Sequence, residues 1–379
     1  MISFEEAIAA VDSVRPSTQS VSTSVVEALG RRTAHAIVAP FDSPPFSNSA
    51  MDGYAVGSLP GPWRWVASVP AGCVPEPLEQ GQAARIFTGA MIPQGTVAVI
   101  PQEDAREDGS VLVGNACEDR HIRRQGEELR QGDLLIPAGT RIDPPVLSIL
   151  AAFGFDRVSV PAMPRVALVS TGAELLASGE RPSPGKIFES NSAALTAVLQ
   201  TWGCEVTNLR LGDDPRKGSL ALKGALGAHE VLITIGGISV GDFDWVHQAV
   251  SQMDFETHFR GVAIKPGKPV ALGTRSDGKV WFGLPGNPLS AIVTFSLFVA
   301  RFMGEDHPWV DGRISRPWEC SGDREEFVPA DLSDSVQPRR VVGSHAILGA
   351  LGTTGLARID GSRKAGDAVL YTPWPWGSR

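Results

Sequence analysis

The stretch EVLITIGGISVGD, from Glu230 to Asp242, decides the fold class of this chain. Its first half is a short, uninterrupted apolar run, which is typical of a strand buried on both faces, and its second half is a glycine-rich loop. A similar pair lies earlier, where the apolar run Val166 to Val169 leads into Ser170-Thr171-Gly172. Between the two pairs, the pattern predicts a helix over Ser192 to Trp202 and a strand over Glu205 to Leu211. This alternation predicts a parallel α/β sheet covered by helices on both faces.

Chain length and texture predict further regions around this α/β domain, which we place at residues 164–304. The 379 residues exceed the size of one ordinary hydrophobic core. Short apolar pieces broken by proline and glycine predict a β-rich domain at 40–122 and an all-β module at 305–379. Residues 1–39 and 123–163 carry helical patterns, and we assign them to one discontinuous helical and extended domain.

Composition and charge exclude several classes of protein. A formal net charge of -8 disfavours a surface built for the nucleic-acid backbone, although a few local cations can still hold an anionic small substrate. The four cysteines show no CxxC spacing, so neither a zinc knuckle nor a disulfide framework is predicted. The start of the chain has no signal-peptide pattern, and the longest apolar run, Ala291 to Phe302, is too short for a membrane span. We therefore expect a cytoplasmic protein without nucleic-acid or membrane partners.

Four loops carry the candidate binding residues. Two are the glycine-rich loops above, and the others are Lys265-Pro266-Gly267-Lys268-Pro269 and Leu284-Pro285-Gly286-Asn287-Pro288. In an open parallel sheet such loops share the rim at the carboxyl ends of the strands, where glycines admit a ligand and N–H groups and lysines hold an anion. Taken alone, each loop is equally typical of a tight turn or a rigid connection. The candidate binding residues are Ser170, Thr171, Gly172, Gly236, Gly237, Ser239, Gly241, Lys265, Lys268, Pro285, Gly286, Asn287 and Pro288.

Three acidic residues, Glu174, Asp242 and Asp244, lie within or beside the same loops. Carboxylates next to a phosphate-like ligand would repel it unless a divalent cation bridges the two. We therefore interpret these residues as candidate metal ligands and expect Mg²⁺ as the cofactor.

Two polar segments of the β-rich region are open to two interpretations. Phe46 to Val56 concentrates small and polar groups, which an Asx-turn at Asn48 and a β-turn at Asp52-Gly53 explain as well as a functional site does. Arg85 to Gly89, which contains Thr88, is more typical of a structural element when taken by itself. The seven histidines show no metal-ligand spacing, and no Ser-His-Asp set can be nominated.

Several long sequence words, in a shared order, resemble the MoeA family, which includes the E domain of gephyrin and of its plant counterpart. The resemblance extends over almost the whole chain. The matching words are SNSAMDGYAV at 47–56, RIFTGAMIPQG at 85–95, IRRQGEEL at 122–129, STGAEL at 170–175, GGISVGDFDWV at 236–246, AIKPGKPV at 263–270 and GLPGNPLSA at 283–291.

The resemblance implies a fold and an activity. The fold is an α/β domain of the molybdopterin-binding type with an inserted β-rich domain, a discontinuous helical domain and a C-terminal β barrel, assembled as an elongated homodimer. The activity is that of a molybdopterin molybdotransferase, which transfers molybdenum from molybdate to adenylated molybdopterin. A divalent cation assists the cleavage of the diphosphate link, and AMP is released. The cleft would lie between the α/β domain of one subunit and the barrel of the other. A molybdopterin adenylyltransferase is a candidate partner.

The resemblance also implies roles for residues by their motif positions. Lys265 and Lys268 would neutralise molybdate or phosphate oxygens, and residues 285–288 would shape the pterin pocket. Thr88 and the barrel residue Ser344 would bind substrate. The implied catalytic residues are Asp52, Glu174, Asp242 and Asp244, of which the last three would also hold the cation.

Four positions depart from the family pattern. Ala173 stands where the family has Asp, and Pro329 stands where it has an arginine that holds the oxyanion. Gly349-Ala350 replaces a pair of serines. The candidates to replace the lost positive charge are Arg324, Arg339 and Arg340.

Two other functions fit the same sequence features, because a shared fold does not determine a reaction. One is a molybdopterin adenylyltransferase-like enzyme that uses the same α/β cleft. The other is a non-catalytic pterin-binding paralogue whose anion site on the barrel has decayed.

Overall fold

The computed structural model describes residues 1–15, 19–238, 245–320 and 322–377, and its contacts divide the chain into two compact units. The larger unit comprises Met1–Gln19 and Ala162–Arg379, and the smaller unit comprises Ser20–Pro161. The α-helices of the described residues are Phe4–Ser13, Pro144–Ala152, Asn191–Thr201, Pro215–Ala228, Trp245–Ser251, Pro288–Thr294 and Ala300–Met303, and Phe295–Val299 forms a π-helical segment between the last two.

The larger unit contains the predicted α/β sheet. Three of its strands, Val166–Thr171, Val231–Ile235 and Val280–Leu284, are buried at every position, as their uninterrupted apolar runs predict. They run parallel to one another and to the edge strand Val206–Leu211. Strand Ala271–Thr274 is antiparallel to Val280–Leu284, and Glu256–Arg260 is antiparallel to Ala271–Thr274. The α/β prediction is therefore confirmed. The strand order is Val206–Leu211, Val166–Thr171, Val231–Ile235, Val280–Leu284, Ala271–Thr274 and Glu256–Arg260.

Local signals explain where the helices of this unit begin and end. Asp214 caps helix Pro215–Ala228 by accepting hydrogen bonds from the N–H groups of Arg216 and Lys217, at 3.0 and 3.2 Å. Helix Asn191–Thr201 ends before Gly203, whose φ of 91° suits glycine. Helix Asn191–Thr201 agrees with the predicted span, Ser192 to Trp202, to within one residue at each end.

The first helix, Phe4–Ser13, begins with a capping box between Ser3 and Glu6. The ring of Phe4 lies 4.7 Å from that of Phe327 and 6.1 Å from that of Phe298, measured between centroids. The helix therefore belongs to the core of the larger unit. The sequence analysis instead grouped this helix with residues 123–163. The contacts place it in the larger unit because these aromatic side chains cover its apolar face.

A second sheet in the larger unit contains the strands that follow Gly304, as the all-β texture predicts. One earlier strand, Ile264–Lys265, joins this sheet at its edge and pairs in parallel with Glu325 and Glu326. The loop 265–269 therefore connects the second sheet to strand Ala271–Thr274 of the α/β sheet. The strand order is Ile264–Lys265, Glu325–Leu332, Gly355–Ile359, Ala368–Pro373 and Val310–Arg313, with Val336–Pro338 paired to Glu325–Leu332.

The smaller unit is rich in β structure, as its short apolar pieces predict. Its six-stranded sheet has its own apolar core, which includes Trp63, Ile86 and Ile100. Three two-stranded pairs accompany this sheet, formed by Ser20–Ser24 with Arg157–Pro161, Ile37–Val38 with Leu134–Ile136, and Asn48–Ser49 with Ile122–Arg123. The sheet order is Ala98–Pro101, Gly53–Val56, Gln82–Ile86, Trp63–Val69, Val111–Gly114 and Ala105–Asp108. In the described parts of both units, no helix combines the length and the apolar character that a membrane span requires.

Candidate active site

The predicted binding loops converge at one edge of the α/β sheet. The loops after Thr171, Ile235 and Leu284 leave parallel strands at their carboxyl ends, which lie at the same edge. The loop 265–269 enters the antiparallel strand Ala271–Thr274, and Ala271 pairs with Gly283 near the end of its neighbour. This loop therefore reaches the same edge from the opposite direction. The predicted convergence is confirmed for the described residues, which include the glycine-rich loop as far as Ile238.

Two adjoining cavities open among these loops. The first, called the acidic cavity, has a volume of about 790 Å³, and the second, called the cationic cavity, has a volume of about 530 Å³. They share Pro269, Pro285 and Asn287 as a common wall. The acidic cavity is lined by Ser170–Gly172, Gly236–Gly237 and residues 285–288, with the carboxylates of Glu174, Glu189 and Asp213. The cationic cavity is lined by Lys265, Lys268, Arg324 and Arg340, together with Glu319, Glu326, Trp318 and Ser344.

Glu174 lies against the backbone of the acidic cavity. Its carboxylate lies where a Cβ atom at position 172 would be, and the φ of 150° at Gly172 is a backbone conformation that favours glycine. The neighbouring N–H of Ala173 donates to the carboxylate of Asp213 at 3.2 Å. Ala173 replaces an acidic residue of the family pattern, and Asp213 supplies a carboxylate beside that same position. The hydroxyl of Ser170, a residue only 2% exposed, has no hydrogen-bond partner among the described residues.

The common wall is held in place from both sides. The amide nitrogen of Asn287 donates to the hydroxyl of Ser344 at 2.8 Å, and the N–H of Leu289 donates to the Ser344 carbonyl at 3.1 Å. On the other side, the amide of Asn191 donates to the carbonyl of Gly286 at 2.8 Å. These hydrogen bonds fix the position of the loop. Gly286 and Asn287 are nevertheless exposed, so the loop is accessible to a ligand.

A buried carboxylate organises the wall of the cationic cavity. Glu326, which is 5% exposed, accepts hydrogen bonds from Lys265 Nζ at 2.9 Å and from the indole N–H of Trp318 at 2.8 Å. The guanidinium of Arg340 lies over the Trp318 ring, 5.3 Å from its centroid. Because a buried carboxylate is costly unless it is paired and hydrogen-bonded, these contacts hold the four side chains together.

The structure distinguishes the three arginines proposed to replace the charge lost at Pro329. Arg340 and Arg324 line the cationic cavity, and Arg324 also donates to the carbonyl of Ile264 at 3.1 Å. Arg339 instead pairs with Asp331 at 2.8 Å and does not line this cavity. Pro329 itself is buried in its strand.

The predicted metal ligands are only partly described. Glu174 lines the acidic cavity, whereas Asp242 and Asp244, together with Ser239 and Gly241, lie outside the described residues. Across the described ranges, no group of three or more His, Cys, Asp or Glu side chains is arranged to hold a metal ion. The metal assignment therefore stays a prediction.

Asp52 and Thr88 meet in the smaller unit, as neighbours across two loops. One carboxylate oxygen of Asp52 accepts from both the N–H and the hydroxyl of Thr88, each at 2.7 Å. These hydrogen bonds, the backbone one first, lower the pKa of Asp52. The pair closes the turn before Gly89, so a structural role is sufficient to explain its geometry, and the functional role stays a prediction.

Sequence reasoning missed several acidic and aromatic residues of the two cavities, among them Glu189, Asp213 and Trp318. Glu189 carried a local signal, because it precedes a helix and accepts from the N–H groups of Asn191 and Ser192, both at 2.9 Å. Asp213 and Trp318 carried none, and Glu326 was visible only as part of the Glu326-Phe327 pair that precedes Pro329. They reach the cavities through contacts between residues that are far apart in the sequence, such as the 61-residue separation between Lys265 and Glu326.

Comparison with known proteins agrees with the fold and with the loop-rimmed cavities. The sequence model of the MoeA N-terminal region (domain I and II) matches residues 2–154, and that of a probable molybdopterin binding domain matches residues 167–305. A molybdopterin molybdenumtransferase of Staphylococcus epidermidis is 33% identical over 79% of this chain and 74% of its own length. That of Haemophilus influenzae is 37% identical over 73% and 70%.

A crystal structure of a MoeA protein from Pyrococcus horikoshii superimposes with a TM-score of 0.80 at 29% identity, and 99% of each chain is covered. The fold and the matched domains define a molybdopterin-binding protein of cofactor biosynthesis. The chain belongs to the MoeA family of molybdopterin molybdenumtransferases, which act in the biosynthesis of the molybdenum cofactor. The resemblance to this family and the predicted transferase function are confirmed.

Proposed function

We propose that this chain transfers molybdenum from molybdate to the dithiolene of adenylated molybdopterin and hydrolyses the diphosphate link, which releases AMP. In the transfer, two dithiolene sulfurs replace one oxygen of molybdate, and the two thiol protons leave with that oxygen as water. The observation that carries the proposal is the shared wall at Pro269, Pro285 and Asn287, because it joins a cavity suited to an oxyanion with one suited to a metal-bound diphosphate.

The cationic cavity suits molybdate, a tetrahedral dianion. Four cationic side chains and two carboxylates line it, so positive charge remains in excess before a ligand enters. The side chain of Lys268 is exposed, and the guanidinium of Arg340 lies over the Trp318 ring. Arg340, assisted by Arg324, would supply the positive charge that Pro329 does not provide.

The acidic cavity suits a diphosphate that arrives with a divalent cation. Three carboxylates line it, and no lysine or arginine does so among the described residues. Oxygen donors of this kind are what Mg²⁺ prefers, and the bound ion would polarise the phosphoryl oxygens. Glu174 would hold the ion, together with Asp242 and Asp244 as the sequence predicts. The N–H groups of the glycine-rich loops would orient the phosphates.

The finer points of assembly are part of the same proposal. The four-part domain layout with a C-terminal barrel, the homodimer, and a molybdopterin adenylyltransferase as partner follow from family membership. The cytoplasm is the proposed location. The residues of the cationic cavity described above all belong to one chain, so a partner subunit would complete this cavity rather than create it.

Incubation of the purified protein with adenylated molybdopterin, molybdate and Mg²⁺ tests the proposed function. AMP should appear together with cofactor that restores activity to a molybdenum enzyme lacking it. Lys268→Ala should raise the molybdate concentration needed for half-maximal rate, because one cation of the cavity is lost. Release of pyrophosphate from ATP and molybdopterin, with adenylated molybdopterin as the other product, would favour the adenylyltransferase. Pterin binding without AMP release would favour the non-catalytic paralogue.

A further inference from the structure

Trp318 joins two charged parts of the cationic cavity. Its indole N–H donates to Glu326 at 2.8 Å, and Glu326 accepts from Lys265 at 2.9 Å. The guanidinium of Arg340 lies over the face of the same indole ring, 5.3 Å from its centroid. One aromatic side chain therefore contacts the carboxylate that binds Lys265 and also carries a second cation on its face.

The Trp318 ring is fixed by contacts that do not involve Arg340. The backbone of Trp318 forms an antiparallel bridge with Arg363, in which each N–H donates to the carbonyl of the other residue at 2.8 Å. Trp318 is 7% exposed and belongs to the apolar core of the second sheet, together with Val328 and Ile359. Backbone pairing, core packing and the indole hydrogen bond leave the ring little freedom to turn. It therefore forms a rigid surface in the wall of the cavity.

Arg340, in contrast, has no comparable anchor. It is exposed, and its side chain forms no ion pair or hydrogen bond within the part of the chain that the structure describes. An exposed arginine samples many rotamers, and ordering it around a ligand costs conformational entropy. Stacking on a fixed indole reduces this cost, because the guanidinium is held by its face while the N–H groups at its edge can bind an oxyanion.

The place of Arg340 in the second sheet explains why it needs such support. The N–H of Arg339 donates to the carbonyl of Pro329 at 2.8 Å, so Arg340 enters the cavity from the segment next to Pro329. An arginine at position 329 would extend from the central strand Glu325–Leu332 itself. A guanidinium that starts from the neighbouring segment approaches from another direction, and the Trp318 ring is the surface that holds it in the cavity.

We infer that Trp318 is a positioning residue for oxyanion binding, because its ring holds the guanidinium of Arg340 in the orientation that binds molybdate. Trp318 acts through Arg340 and does not touch the reacting atoms. The inference rests on the proposed binding of molybdate in the cationic cavity. It assigns to Trp318 a role in molybdate affinity rather than in the rate of the chemical step.

A double-mutant cycle between Trp318 and Arg340 tests the inference, with molybdate binding to the full-length protein measured by equilibrium dialysis. Trp318→Leu should weaken molybdate binding about tenfold in the wild-type background, as expected for loss of an ordered charge-assisted contact. In the Arg340→Met background the same substitution should weaken binding less than twofold, because the side chain that the ring orders is already absent. In turnover, Trp318→Leu should raise KM for molybdate and leave kcat nearly unchanged.

Tryptophan fluorescence gives a second readout that does not depend on turnover. Molybdate that binds Arg340 changes the charge next to the Trp318 ring, so titration with molybdate should change the emission of the wild type. Trp318→Phe, which keeps an aromatic ring in the core, should abolish that change and weaken binding about threefold. The matched control is Trp376→Phe, since Trp376 stacks on Trp374 and lines neither cavity. This control should retain both the emission change and the affinity.

Two outcomes would overturn the inference. Equal weakening by Trp318→Leu in the wild-type and Arg340→Met backgrounds would show that Trp318 acts through the fold or contacts the ligand directly. Unchanged molybdate affinity in Trp318→Leu would show that Arg340 needs no support. If the leucine variant does not fold, the cycle is measured with Trp318→Phe, whose effect should likewise require Arg340. A wild-type protein that does not bind molybdate would instead refute the proposed role of the cationic cavity.

Discussion

The cationic and acidic cavities share one wall, yet they balance their charges in different ways. In the cationic cavity, Glu326 neutralises Lys265 internally, and the remaining cations are available to an anion. In the acidic cavity, Glu189 and Asp213 bind backbone N–H groups, and Glu174 adds a further carboxylate without a lysine or arginine among the described lining residues. The comparison suggests that one cavity can bind its anion directly, whereas the other requires a cation that arrives with its ligand.

Removal of the divalent cation should separate the two cavities most strongly. Chelation by EDTA should reduce AMP release by about 1000-fold, because several kcal/mol of stabilisation of the phosphoryl charge are lost. Molybdate binding, measured by equilibrium dialysis, should change little under the same conditions. Re-addition of Mg²⁺ should restore the rate. A full rate in EDTA would contradict the metal assignment of the acidic cavity.

Substitution of Arg340 should affect the cationic cavity alone. Arg340→Met should raise the half-saturating molybdate concentration about tenfold, because a charge-assisted contact to the dianion is lost. Affinity for AMP should stay the same. Arg339→Met is the matched control, since Arg339 pairs with Asp331 and does not line the cavity. Equal effects of the two substitutions would mean that Arg340 acts only through the fold.

Substitution of Glu326 should have a smaller effect than substitution of Arg340, and in the opposite direction. Glu326→Gln removes a buried negative charge beside the oxyanion, so half-saturating molybdate should fall about threefold. Glu319→Gln, at an exposed position of the same cavity, should change it less because water and salt screen the charge. If Glu326→Gln instead raised the molybdate requirement, the carboxylate would act mainly by positioning Lys265.

Much of the fold could be predicted because its signals are local. The runs at 166–169 and 230–235 report burial on both faces, and Asp214-Pro215 marks the start of a helix within two residues. The helix Phe4–Ser13 shows the limit of such signals. Its capping box and apolar face were visible in the sequence, but the unit against which that face packs was not.

The candidate site, too, could be predicted only in part. The glycine, lysine and proline loops could be identified because each follows or precedes a strand, and parallel strands present their carboxyl ends at one edge. The choice of Arg340 and Arg324 over Arg339 required coordinates, because neighbouring residues on one segment point in different directions.

By itself, the sequence determined the α/β class, the loops at the rim and the family of this protein, since apolar periodicity and motif spacing are properties of short segments. Only the tertiary structure decided that Glu326 and Trp318 line the cationic cavity, that Asp213 lies beside Ala173, and that the acidic and cationic cavities share one wall. The physical reason is that these relations arise from strand pairing and packing between residues distant along the chain, and no local pattern encodes which distant residue becomes the neighbour.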